Sequence, residues 1–162
     1  MSRPDPDPSE WPDLAGRIVQ DGAGRRHILP IRVYFEDTDF SGLAYHGSYV
    51  RWCERGRSDF LRLAGNDHRA LIEGAAGGEP AAFVVRRMAM EFLKPARIDE
   101  VLQVITCVKE LKAATLTLDQ RICRGGVELF TAEVMVVLIS RAGKPMRLSN
   151  ALRQALQTGE NS

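Results

Sequence analysis

Two carboxylates and a histidine in one short stretch are the residues of this chain best placed to do chemistry. They lie in residues 32–57, RVYFEDTDFSGLAYHGSYVRWCERGR, as Asp37, Asp39 and His46. Residues 32–35 alternate polar and apolar, residues 37–42 crowd Asp, Thr, Ser and Gly into a turn, and a helical apolar rhythm begins near Tyr49. The spacing therefore parks a carboxylate beside a helix N-terminus. Such a terminus carries unpaired N–H donors and the positive end of the helix dipole, so it can polarise a carbonyl oxygen while Asp39 or Asp37 works on the carbon. That is acyl-transfer chemistry. A calcium loop is the competing reading, because Asp37-x-Asp39-x-Ser41-Gly42 copies its opening. Ser48 stands where the loop needs a bidentate Glu, and no helical pattern precedes it, so no metal is expected.

The elements that must hold this stretch are legible from periodicity. A first strand is expected over 27–35 and the main helix over 48–63, where Tyr49, Trp52, Cys53, Gly56, Phe60 and Ala64 form one apolar stripe. A second short helix is expected over 68–73, followed by the glycine-rich loop GAAGGEP. Four strands then follow. Residues 82–93 place Val84, Met88, Met90 and Phe92 on one face with Arg87 and Glu91 on the other, and Pro95 ends the run. Residues 101–110 and 115–124 each carry one apolar face. Gly125 and Gly126 supply a tight hairpin into residues 127–139, and a terminal helix is expected over 150–156. The sum is an α+β domain whose antiparallel sheet curls around one long central helix. One helix covers only one face of such a sheet, which favours oligomerisation through the remaining surfaces.

Composition narrows the class. A chain of 162 residues with 44% hydrophobic content is expected to form one domain. Residues 1–24, rich in Pro, Asp and Gly, read as a leader anchored only by Trp11; residues 25–157 read as the domain and 158–162 as a tail. Twenty-two Lys and Arg against twenty-one Asp and Glu leave a net charge of +1, too little to attract nucleic acid or an anionic membrane. Cys53, Cys107 and Cys123 form no CxxC pair and read as buried hydrophobes in a reducing compartment. No signal peptide or spanning run is apparent, so the expected location is the cytoplasm.

The acidic turn, the Tyr45-His46 pair, the Glu54-Arg55-x-Arg57 cluster and Lys94-Pro95-Ala96-Arg97 within AFVVRRMAMEFLKPARIDE occur in an order that resembles the hotdog-fold acyl-CoA thioesterases. The resemblance is to the YbgC type associated with the bacterial Tol-Pal system, within the 4-hydroxybenzoyl-CoA thioesterase family, and covers about residues 28–150. It implies a hotdog fold, with a five-stranded antiparallel sheet wrapped around the helix, and hydrolysis of acyl-CoA to free acid and thiol. Acyl carrier protein is a second donor of the same chemistry. A homodimer or homotetramer is implied, because the site of the resembling enzymes lies between two protomers, and no cofactor is.

Residue by residue, the resemblance implies that Asp39 is the catalytic carboxylate, as general base or nucleophile, and that the His46 N–H binds the thioester oxygen. Tyr45 and Gly47 border the same mouth. Phe35 stands where relatives often carry a tyrosine, so the hydroxyl that would orient Asp39 or water is missing. Glu54 is a second candidate carboxylate, since some hotdog thioesterases place theirs on this helix; at i,i+3 it is also suited to an ordinary ion pair with Arg57. Arg86, Arg87, Lys94 and Arg97 are the candidates for the phosphates of coenzyme A. A thioester has a good leaving group, so one carboxylate and oriented donors suffice, and no GxSxG elbow is present. Two alternatives stand beside this reading. A hotdog hydratase or dehydratase would carry DxNPxH or HxxGH elements, which are absent; a non-catalytic acyl-binding or scaffold protein of envelope lipid maintenance would fit Phe35 and the Pro-rich leader.

Overall fold

The computed structural model describes residues 16–65, 72–74 and 78–157. The described residues begin with a hairpin, β1 (Arg17–Asp21) and β2 (Gly24–Arg32), pass through a 3-10 turn at Phe35–Asp37, and enter α1 (His46–Leu63). Four strands follow: β3 (Ala81–Phe92), β4 (Val101–Leu111), β5 (Thr115–Arg124) and β6 (Val127–Ser140). Helix α2 (Asn150–Gln157) is the last described element. The strands form one antiparallel sheet in the order β1-β2-β4-β5-β6-β3. Among the described residues the sheet has six strands where five were expected. The extra one, β1, lies in the stretch read as leader: Arg17–Asp21 has little apolar periodicity and is held by pairing with β2 instead. The expected helix at 68–73 falls mostly outside the described residues, as do Trp11, the first part of the leader and the tail.

Helix α1 forms where the apolar stripe predicts, two residues longer at its N-terminus, and packs on β4, β2 and β1. Tyr49, Trp52, Cys53, Gly56, Phe60 and Ala64 are all buried. Gly56 lets the helix settle on the sheet: a Cβ there would stand 2.8 Å from Val104 Cγ1 and 3.2 Å from Thr106 Oγ1. Facing the helix, Leu102, Val104, Leu116, Leu118, Ile122, Phe130 and Val134 are fully buried, each contributing about 1.5–3 kcal/mol relative to exposure. The Gly125-Gly126 hairpin forms with φ of 54° and 82°, the left-handed values that glycine adopts without strain.

One buried polar group joins helix and sheet. Gln120 of β5 sits on the core face, and its side-chain amide donates to Cys53 O (2.9 Å) and Thr106 Oγ1 (3.0 Å). Its carbonyl accepts from Arg57 Nη1 (2.9 Å), and Arg57 is itself only 5% exposed. The strand pattern had left Gln120 unassigned. Burial here also pushes the Cys53 thiol up to about 12, so it stays protonated and inert.

Two expectations about strands need correction. The first strand was expected to reach residue 35, but β2 ends at Arg32 because the Asp37 carboxylate captures the Tyr34 N–H at 2.8 Å and pulls the chain into the turn. In β3, Val84 does not share a face with Met88, Met90 and Phe92. The register against β6 shifts between Val85 and Arg87, so a bulge at Arg86 reverses the alternation, and Phe83 rather than Val84 joins Met88 against the core. β3 is also an edge strand, with Val84, Val85, Met90 and Phe92 all exposed.

Candidate active site

The acidic turn is built from backbone pairing. Thr38 bridges Ala44, the Asp39 N–H donates to Leu43 O (3.0 Å), and the Gly42 N–H donates to Asp39 O (3.1 Å), which closes a small hairpin with Asp39 near its tip. The other flank is fixed by the loop after β3: Leu43 bridges Arg97, and the Ala44 N–H donates to Ala96 O at 2.9 Å. The Ala96 N–H in turn donates to the Tyr49 hydroxyl at 2.9 Å, tying that loop to α1. Turn, loop and helix start are thus one braced unit.

Within it the two carboxylates are treated differently. Asp37 is 3% exposed and works locally, its Oδ2 accepting from Tyr34 N–H and its backbone oxygen accepting from Tyr45 N–H at 2.8 Å. Asp39 is exposed. Its Oδ1 accepts from the Ser41 N–H (2.8 Å) and from the Ser41 hydroxyl, and these bonds hold the Asp39 carboxyl below its ordinary value. Among the described residues Oδ2 accepts nothing, so Asp39 presents one ionised oxygen outward. The sequence left the choice between Asp37 and Asp39 to the resemblance; of the two, Asp37 is buried and Asp39 exposed.

The helix start supplies the donors. Tyr45 is the N-cap and gives no side-chain cap, and no acidic residue lies in the first turn. The Tyr45 and Ser48 N–H groups are used, by Asp37 O and Tyr45 O. Those of His46 and Gly47 stand in the first helical turn, where no intrahelical acceptor exists. The dipole adds positive potential at the same point. Around them lies an aromatic cluster: the His46 ring centroid is 4.2 Å from Tyr45 and 6.4 Å from Phe92, and Phe92 packs edge-on against Tyr49 at 5.5 Å. Tyr45 also folds back over Gly47, where a Cβ would stand 2.8 Å from the ring.

The structure therefore brings Tyr45, His46 and Gly47 together beside the braced turn that carries Asp39. Arg97 enters through its bridge to Leu43, and Lys94 lies in the same loop, its N–H donating to Leu129 O at 3.1 Å. Glu54 lies two turns further along α1, in an ion pair with the buried Arg57. Phe35 is 81% exposed in the 3-10 turn. Arg86 and Arg87 sit at the β3 bulge, and Arg87 faces Glu133 at 3.9 Å. Sequence reasoning placed Phe92 and Tyr49 only on apolar faces, and nothing in their immediate sequence signals that they pack beside His46. Among the described residues no group of His, Cys, Asp and Glu could hold a metal ion, and no helix is long and apolar enough to cross a membrane.

A sheet wrapped around one helix, with an acidic turn at the helix N-terminus, is the hotdog arrangement, and residues 41–131 match the thioesterase superfamily. The chain belongs to that family. Among its relatives, the acyl-CoA thioester hydrolase YbgC of Escherichia coli O6:H1 is 40% identical over 111 residues, which is 68% of this chain and 79% of that protein. The acyl-CoA thioesterase YbgC of Haemophilus influenzae is 37% identical over the same shares of the two chains. Among solved structures, a probable thioesterase from Bartonella henselae superposes with a TM-score of 0.74 at 44% identity, covering 76% of this chain and 99% of that one.

Proposed function

We propose that this protein hydrolyses acyl-CoA thioesters, with Asp39 as general base and the His46 and Gly47 N–H groups as the oxyanion site. The observation that carries the reading is the exposed, ionised Asp39, one oxygen occupied by Ser41 and the other open, on a turn braced to an uncapped helix N-terminus. Water held by Oδ2 loses a proton to the carboxylate as its oxygen bonds to the thioester carbon. The carbonyl oxygen gains charge and is stabilised by the helix donors. Collapse of the tetrahedral intermediate breaks the C–S bond, and the departing thiolate takes the proton from Asp39, leaving a free acid and the thiol of coenzyme A. The Ser41 bonds hold one oxygen of the carboxylate and leave Oδ2 to hold the attacking water.

The acyl group enters beside Tyr45, His46 and Phe92, an aromatic mouth suited to an apolar chain or ring. Lys94 and Arg97 are the local cations for the phosphates of coenzyme A. Arg86 and Arg87 reach a site only from a second copy joined along the open β3 edge, so the working unit is a homodimer or a homotetramer built from it. The reading is supported by membership of the thioesterase superfamily and by 40% identity to an acyl-CoA thioester hydrolase. Thiol release from short, long and aromatic acyl-CoAs, and from acyl carrier protein thioesters, tests it. Turnover of at least one acyl-CoA is expected; turnover of acyl carrier protein thioesters alone would move the donor, and silence throughout would support an acyl-binding protein instead.

A further inference from the structure

We propose that Asp37, Ser48 and Arg51 are positioning residues for this hydrolysis, an inference that rests on the reading of Asp39 given above. Ser48 is fully buried in the first turn of α1. Its hydroxyl donates to Asp37 O at 2.8 Å and accepts from Arg51 Nη2 at 3.1 Å, and the same Arg51 nitrogen lies 3.7 Å from Asp37 Oδ1. The circuit is closed: turn carbonyl, helix hydroxyl, helix guanidinium, turn carboxylate.

One peptide carbonyl sets both halves of the site. Asp37 O accepts the Tyr45 N–H and the Ser48 hydroxyl together, which uses both its lone pairs. Taking the Tyr45 N–H fixes the direction in which the helix starts, and so where the His46 and Gly47 donors point. The same peptide group stands two residues before Asp39, so it also fixes the root of the hairpin that carries the carboxylate. Asp37 cannot serve as the base itself, since it is buried with Oδ2 committed to Tyr34 and Oδ1 beside Arg51. Catalytic groups must be held to roughly 0.5 Å, and a shift of about 1 Å can lower turnover on the order of 10²-fold.

The test is steady-state thiol release with the best acyl-CoA substrate for wild type, Asp37→Asn, Ser48→Ala, Arg51→Ala and Arg51→Lys, with Asp39→Asn as reference and thermal melts of each. Ser48→Ala and Asp37→Asn are expected to lose kcat by about 10- to 100-fold with little change in KM. The acid limb of the pH profile stays in place, because Ser41 still holds Asp39. Arg51 is well exposed, so Arg51→Ala folds; it loses less, and Arg51→Lys recovers part by restoring charge without the fork. Should Ser48→Ala fail to fold, the Arg51 pair decides. Near-normal kcat in Ser48→Ala and Arg51→Ala, with Asp39→Asn inactive, would overturn this inference and leave the hydrolysis standing. Turnover surviving in Asp39→Asn would overturn both.

Discussion

Replacing Gln120 by Leu tests whether the polar group around Gln120 and Arg57 holds α1 to the sheet. The change keeps the volume roughly constant but removes three hydrogen bonds, to Cys53 O, Thr106 Oγ1 and Arg57 Nη1. Cys53 O retains its helical partner. Thr106 is fully buried and loses the amide donor, at about 1 kcal/mol. The larger effect is on Arg57, whose guanidinium is buried and keeps only Glu54; an unsatisfied charged donor costs about 1–3 kcal/mol. Leu returns part of this through added apolar burial, on the order of 1 kcal/mol. The net loss expected is about 1–3 kcal/mol. Urea unfolding at fixed protein concentration measures it, since an oligomer's stability depends on concentration. The companion Arg57→Met removes the other partner, and the pair of changes together is expected to destabilise by about 0.5–3 kcal/mol less than the sum of the single changes. Additive effects, or a Gln120→Leu protein as stable as wild type, would refute the reasoning.

Other consequences follow from the same contacts. Ser41→Ala removes the hydroxyl bond, the larger of the two that depress the Asp39 pKa, and leaves the backbone N–H bond in place, so the acid limb of kcat/KM moves to higher pH than in wild type; an unmoved limb would dissociate the Ser41 hydroxyl from the base. His27 is fully buried against Asp59 (2.7 Å), and burial, outweighing that partner, holds its pKa below the ordinary histidine value. The unfolded chain then takes up the proton first, so stability is complete above about pH 6.5 and declines as pH falls through the folded pKa. Urea midpoints at pH 7 and pH 5.5 should show that decline in wild type and a smaller one in His27→Gln. Val85 is 47% exposed on the open β3 edge, so Val85→Lys is expected to yield monomer by gel filtration and to lose turnover with it; an active oligomer would place the interface elsewhere.

Much of the fold was legible because its signals are local. The α1 stripe, the Gly125-Gly126 hairpin and the alternation in β4, β5 and β6 needed only periodicity and turn chemistry, and they lie where expected. The errors fall where long-range pairing decides. β1 exists because β2 offers it an edge, and the Arg86 bulge is a matter of register against β6 that no property of Val84 or Val85 announces. The site divides in the same way. The acidic turn and the helix start were readable from residue types and spacing, whereas the choice of Asp39 over Asp37 rested on the resemblance. The bond of Ser48 to Asp37 O, and the arrival of Phe92 from β3 beside His46, depend on chain reversals that bring separated residues together. Gln120 went unread in the sequence because its partner Arg57 lies three turns into α1, 63 residues away.

The central claim is that the open oxygen of Asp39 does the chemistry. Steady-state thiol release by Asp39→Asn, beside wild type and Glu54→Gln, tests it most directly, because Asn keeps the shape and the Ser41 contacts while removing the base. The expected result is a fall in kcat on the order of 10²- to 10⁴-fold for Asp39→Asn, with Glu54→Gln close to wild type. Undiminished turnover in Asp39→Asn, or an equal collapse in Glu54→Gln, would contradict it and move the catalytic carboxylate onto the helix.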